Sequence, residues 1–173
     1  MKTNKLTRSA LLASLMLALG YVESLLPAFS AIPGIKLGLA NTVLLYAVYI
    51  CGVKSAVALA VIKVLLSGFL FGSPAAMLYS ASGAALSLCA MLLLKRTGRF
   101  SPVGVSVAGA IAHNLGQCIA AACVIGISPV LAYFPMLLLS GAVTGLVTGT
   151  AAALVIKHMR PRRTKQKFNR RKS

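Results

Sequence analysis

Six apolar runs, at about 7–27, 36–52, 54–73, 75–94, 103–126 and 130–156, fill almost the whole of this 173-residue chain. Each is cut off by charges, Pro or Gly, and each is apolar on every face. A helix on the surface of a soluble protein shows a one-sided pattern instead. Crossing a bilayer takes ~20 helical residues, with a lower limit near ~17, so 36–52 is short but admissible. Composition agrees: 11% of residues are charged, where soluble domains carry about a quarter. The pattern predicts an all-α integral membrane protein. Residues 1–156 form a domain of six transmembrane helices, and 157–173 a basic, disordered cytoplasmic tail.

The charges orient that bundle. Sixteen of the eighteen Lys+Arg lie in the head (Lys2, Lys5, Arg8), the 2–3 turn (Lys54), the 4–5 loop (Lys95, Arg96, Arg99) and the tail from Lys157 to Lys172. Six crossings place all of these on one side, against Lys36 alone on the other. Cations concentrate on the cytoplasmic side, so both termini are expected there. The net charge of +17 does not signal nucleic acid, which calls for basic and aromatic residues spread over a folded face. The tail instead suits anionic lipid headgroups. Residues 1–31 resemble a signal peptide only superficially. The apolar stretch runs past the usual length of such a core, and Ala28-Phe29-Ser30-Ala31 is a poor cleavage region.

Glu23 is the only carboxylate side chain. That excludes a paired-carboxylate acid/base site, an Asp-rich Mg²⁺ site and a Ser-His-Asp triad. No phosphate-cradling GxxxxGK[ST] loop is present. The chain is therefore not expected to be an enzyme by itself. Cys51, Cys89, Cys118 and Cys123 stand in apolar stretches without CxxC spacing, as small hydrophobes rather than metal ligands. No metal or cofactor is expected.

Polar groups at bilayer depth are costly and mark sites or helix contacts. At ~1.5 Å per residue, Lys63 lies ~14 Å from the cytoplasmic side and His113 ~15 Å, with Asn114 beside it. Glu23 comes out at ~24 Å and Gln117 at ~21 Å, with Asn41 at a similar height. His113 and Gln117 are four apart and Asn114 and Gln117 three apart, on one side of helix 5. These residues describe a funnel open to the outside: Lys36 at the rim, Glu23, Asn41 and Gln117 on the walls, Lys63 and His113 at the floor. Two Lys against one Glu favour an anionic or carboxylate-bearing solute. The alternative is that each polar group serves only a neighbouring helix.

Small residues form stripes that let backbones approach. Helix 6 carries Gly141, Gly145, Gly149 and Ala153; helix 5 carries Ala108, Ala112, Gly116 and Ala120. Both are read as internal packing. Ala10, Ser14 and Ala18 on helix 1 are candidates for docking a partner subunit. Pro135 is an expected kink in helix 6.

Gly20-Tyr21-Val22-Glu23-Ser24, Pro33-Gly34-Ile35-Lys36-Leu37-Gly38-Leu39-Ala40-Asn41 and His113-Asn114-Leu115-Gly116-Gln117 together resemble the bacterial Gx transporter family. Its members are also labelled heptaprenyl diphosphate synthase component I. The resemblance covers about residues 9–156. That family is in turn similar to the substrate-binding S components of energy-coupling factor (ECF) transporters. The resemblance implies a six-helix subunit that binds a small solute from outside and works with a membrane T subunit and cytoplasmic ATPases. The S-component group often docks T through an AxxxA-type motif on helix 1, to which Ala10-x-x-x-Ser14-x-x-x-Ala18 is the nearest match here. The synthase label implies at most a non-catalytic accessory subunit, since prenyl transfer of the known kind uses Asp-rich motifs and this chain has no Asp. A self-sufficient carrier is the third alternative.

Overall fold

The structure is a computed structural model that describes residues 2–25, 38–71 and 73–159, and every regular element in them is a helix. α1 spans Lys2–Ser24. α2 runs from Leu39 to Tyr46 and continues through a π-helical turn, Ala47–Cys51. α3 is Val53–Phe71, α4 Pro74–Thr97, α5 Pro102–Ile125 and α6 Ile127–Met159.

Local chemistry sets the ends. Ser73 and Ser101 accept the Ala76 and Gly104 N–H groups at 3.2 Å, and Pro74 and Pro102 follow them at the first helical positions. A hydroxyl cap followed by Pro satisfies one free N–H and removes another. At the far end of α4, Gly98 adopts φ 68 and donates to Lys95 O, a left-handed turn that glycine makes at least cost. α6 continues through Pro135 without interruption.

Five helices, α1 and α3 to α6, are long and apolar enough to cross a membrane. The apolar helix in the 36–52 region is shorter than the sequence run, at Leu39–Cys51, about 20 Å at 1.5 Å per residue. Residues 26–37, which include Lys36, lie outside the described residues, as does the tail from 160 onward.

α2 is the centre of the bundle. It packs on α1, α3, α5 and α6, while around it α1 packs on α3, α3 on α4, α4 on α5 and α5 on α6. Val43 to Val48 are six consecutive buried residues, so α2 is enclosed on all sides, as a helix apolar all round should be. By contrast, Met16 is the one buried hydrophobic of α1 among the described residues.

In lipid, apolar burial gives helices little reason to associate, so close packing of small residues dominates. The α6 stripe behaves as expected. A Cβ on Gly145 would lie 2.7 Å from Val107 Cα, and one on Gly149 would lie 2.7 Å from Ser106 Cβ. The α5 side of that contact is not the Ala108–Ala112–Gly116–Ala120 stripe. It is Val103, Ser106, Val107, Ala110 and Asn114, while Gly116 packs on α4 with a would-be Cβ 2.6 Å from Ser82 O. α5 is sandwiched between α4 and α6 and carries small residues on both sides for that reason.

The basic segments meet at one end. Arg8 donates to the Tyr46 hydroxyl and lies 5.4 Å over its ring. Lys95 reaches α2 from α4, and Lys54 follows Gly52 at the end of the π turn. Gly149 of α6 packs beside Val103 at the start of α5, which brings Lys157 to the same end.

Candidate functional site

The polar residues inside the bundle are placed by helix register. The Lys63 ammonium donates to Asn41 Oδ1 at 2.8 Å, joining α3 to α2. On the α3–α4 face, a Cβ on Gly68 would touch Met77 Cγ at 2.7 Å. The two helices run antiparallel there, so Lys63, five residues before Gly68, stands level with Ser82, five residues after Met77. On the α4–α5 face, a Cβ on Gly83 would lie 2.8 Å from His113 O, 2.9 Å from Gln117 Cγ and 3.0 Å from His113 Cε1. Asn41, Lys63, His113 and Gln117 therefore occupy one layer of the bundle, with the Ser82–Gly83 turn of α4 between the last two and Lys63.

Glu23 sits at the end of α1 and accepts the Gly38 N–H at 2.7 Å. Gly38 has φ 69 and immediately precedes α2. The chain's only carboxylate thus lies at the positive end of α2, where a negative charge is favourable. Gly38 O in turn accepts the Asn41 N–H at 2.8 Å. Glu23, Gly38, Asn41 and Lys63 form a continuous hydrogen-bonded chain across α1, α2 and α3.

Asn114 faces away from this layer. It is buried and donates to Leu137 O of α6 at 2.6 Å, so its amide ties α5 to α6. One residue along a helix turns the side chain by about 100°, which separates Asn114 from its neighbour His113. Of the seven residues read as one funnel, Asn41, Lys63, His113 and Gln117 share the layer. Glu23 joins it through Gly38, Asn114 serves the α5–α6 contact, and Lys36 falls outside the described residues.

Two positions in this region carried no weight in the sequence. Gly83 lets α5 approach α4, and the small run Ser80-Ala81-Ser82-Gly83-Ala84-Ala85 was the signal for it. Ser87, one turn further along α4, is only 1% exposed. Among the described residues, Ser87 Oγ and Gln117 Oε1 are buried oxygens without a hydrogen-bond partner. On the outer flank of the α4–α5 contact lies an open, apolar groove of about 260 Å³ between Ser82, Leu86, Cys89, Gly116 and Ile119. It contains none of the layer's ionisable groups.

The candidate docking residues Ala10, Ser14 and Ala18 are all exposed on α1. The Ser14 hydroxyl donates to Ala10 O at 3.0 Å, which hides its polarity within the helix. No group of three or more metal-ligating side chains occurs among the described residues.

No curated protein and no solved structure matches this chain. The family model of heptaprenyl diphosphate synthase component I matches residues 12–155, which take in α2 to α5, most of α1 and α6, and the whole polar layer. The chain is a member of the heptaprenyl diphosphate synthase component I family.

Proposed function

We propose that this chain is a non-catalytic, solute-binding membrane subunit, of the S-component type, for an ATP-driven uptake transporter. The observation that carries the reading is the Lys63–Asn41 bond. It holds an ammonium midway along a long apolar helix, against the buried central rod of the bundle. Intramembrane ionisable groups are costly, face the bundle interior and mark solute or ion pathways. Gln117 and His113 stand at the same level, and Glu23 closes the outer end of α2. In this reading the chain crosses the membrane six times, the run 36–52 that contains α2 making the second crossing. Lys36 stands at the outer rim, and Asn114 supports the wall from behind. Both termini are cytoplasmic.

Energy must come from elsewhere, because the chain has neither a nucleotide-binding loop nor a second carboxylate. A T subunit docking on the Ala10–Ser14–Ala18 face of α1, with its ATPases below, supplies it. The second reading is an accessory membrane subunit of a prenyl diphosphate synthase, favoured by the family to which the chain belongs. Purification of the endogenous protein in mild detergent separates the two. A co-purifying T–ATPase module supports the transporter, and a co-purifying soluble synthase subunit replaces it with the accessory role. Concentrative uptake by the chain alone, without ATP, overturns both.

A further inference from the structure

The flank of the α4–α5 contact that faces away from the polar layer has a chemistry of its own. Ser82, Leu86 and Cys89 of α4 and Gly116 and Ile119 of α5 border the apolar groove there. Cys89 and Arg96 are seven residues apart and share one face of α4. Leu93, an exposed residue, lies between them. On α5, Ala112 and Ala108 follow Gly116 at four-residue spacing on the groove side, whereas His113 and Gln117 fall on the other. A seam edged by Leu93 and the two alanines therefore continues from the groove to the turn that joins α4 to α5.

That turn ends the seam in positive charge. Arg96 and Arg99 are both exposed, and no described residue pairs with either guanidinium. The chain's single carboxylate side chain, Glu23, is bonded to the Gly38 N–H at the head of α2, so no acidic side chain is left to neutralise them. Clusters of Arg and Lys at the end of membrane helices attract anionic lipid headgroups, and a guanidinium grips a phosphate through paired hydrogen bonds.

The lengths agree with such an occupant. Cys89 lies ~10 Å along the axis from Arg96, and Ser82 ~21 Å. One leaflet supplies half of a ~30 Å hydrocarbon core, so an acyl chain hung from a phosphate at Arg96 ends inside the groove. A free anion would use the arginines and leave the groove unfilled. An uncharged lipid would use the groove and leave the arginines bare.

We infer that the α4–α5 seam binds one anionic phospholipid of the leaflet at the basic end, its phosphate on Arg96 and Arg99 and an acyl chain along Leu93 and Cys89 into the groove. The full-length protein is reconstituted into nanodiscs in which phosphatidylglycerol is a minority component of phosphatidylcholine. Native mass spectrometry then weighs the lipid that stays bound. Retained lipid should be enriched in phosphatidylglycerol about tenfold or more over the disc. Arg96→Gln/Arg99→Gln should abolish the enrichment. Cys89→Trp, which fills the groove and keeps both arginines, should cut the retained phosphatidylglycerol by a similar factor. Lys54→Gln/Lys157→Gln removes two exposed cations of the same end, on α3 and α6, and should change nothing. Melting temperature checks the folding of each variant.

Equal retention of both lipids by the wild type, or retention of neither, overturns the site whatever the variants do. Enrichment lost equally from the lysine variant reduces it to diffuse attraction by the basic end and overturns the seam. So does enrichment that survives Cys89→Trp. Displacement of the retained lipid by added geranyl diphosphate, bound in its place, assigns the seam to another class of lipid and overturns the phospholipid.

Discussion

The Lys95 ammonium of α4 donates to the backbone carbonyl of Val48 in α2 and lies 5.3 Å from the Tyr49 ring. The π turn creates the need for this contact. Gly52 N–H bonds back to Ala47 O at 3.1 Å, five residues away, and the carbonyls at the end of α2 look outward. A cation at a helix C-terminus meets both those carbonyls and the negative end of the dipole. Arg8 holds Tyr46 from α1 at the same end. α2 is thus fixed at its foot by two cations and at its head by Glu23 and Lys63.

Replacing Lys95 with Met removes a hydrogen bond to a charged group, worth ~1.5–3 kcal/mol. The variant should lose that much in reversible unfolding, and Lys95→Arg should recover part of it. Wild-type stability in Lys95→Met means that the contact is ornamental and the foot of α2 is held otherwise.

The α5–α6 contact is a second quantitative test. Gly145 meets Val107 backbone where a Cβ would lie, and backbone cannot step aside as a flexible side chain can. Gly145→Leu should destabilise by ~1–3 kcal/mol or more. Gly20, with nothing within 4 Å of its would-be Cβ, is the control. Gly20→Ala should be neutral or slightly favourable in the helix. Equal melting temperatures for Gly145→Leu and wild type count against the close approach of α5 and α6.

Much of this architecture was legible in the sequence, because run length and cap chemistry speak directly to helices. Ser73-Pro74 and Ser101-Pro102 begin α4 and α5, and Gly98 closes α4. Depth was legible only coarsely, since counting residues sets Asn41 about 7 Å above Lys63, whereas the two side chains bond at 2.8 Å. Rotation about the axis was harder to read. Asn114 and Gln117 are three apart, so they fall within about 60° of each other, enough for one to face α6 and the other α4. With every face apolar, no hydrophobic pattern said which side of α5 met which neighbour. The Lys95–Val48 pairing spans 47 residues, and a loop cation that sets topology looks the same in sequence as one that caps a helix.

Asn41 and Lys63 should be coupled energetically. Asn41→Leu strips one acceptor, at 2.8 Å, from the ammonium in the polar layer of the bundle. Removing one partner of a buried polar pair costs more than removing both. The double variant Asn41→Leu/Lys63→Met should therefore unfold later than Asn41→Leu alone, while neither retains solute. Strictly additive losses across the cycle would show the two side chains to be independent.

Topology is tested by fusion. The basic head, the 2–3 turn and the 4–5 loop lie at the end of the bundle marked by Arg8, Lys54 and Lys95, and positive segments stay cytoplasmic. A reporter fused after Ser173 should be active only in its cytoplasmic form. Activity of an extracytoplasmic reporter at that position overturns the orientation.

Docking of a partner is tested on α1. Ala10, Ser14 and Ala18 are four residues apart and exposed, on a helix whose one described buried hydrophobic is Met16. The Ser14 hydroxyl is engaged with Ala10 O, which leaves a smooth, small-sided face of the kind that lets helices approach closely. Ser14→Trp puts an indole where a partner helix would lie. Glu23 near the end of α1 is nine residues away, ~14 Å along the axis, so the polar layer should be untouched. The expected result is loss of the co-purifying partner and of uptake in cells, with solute retention and melting temperature unchanged. If Ser14→Trp still assembles and transports normally, the partner does not dock on this face of α1.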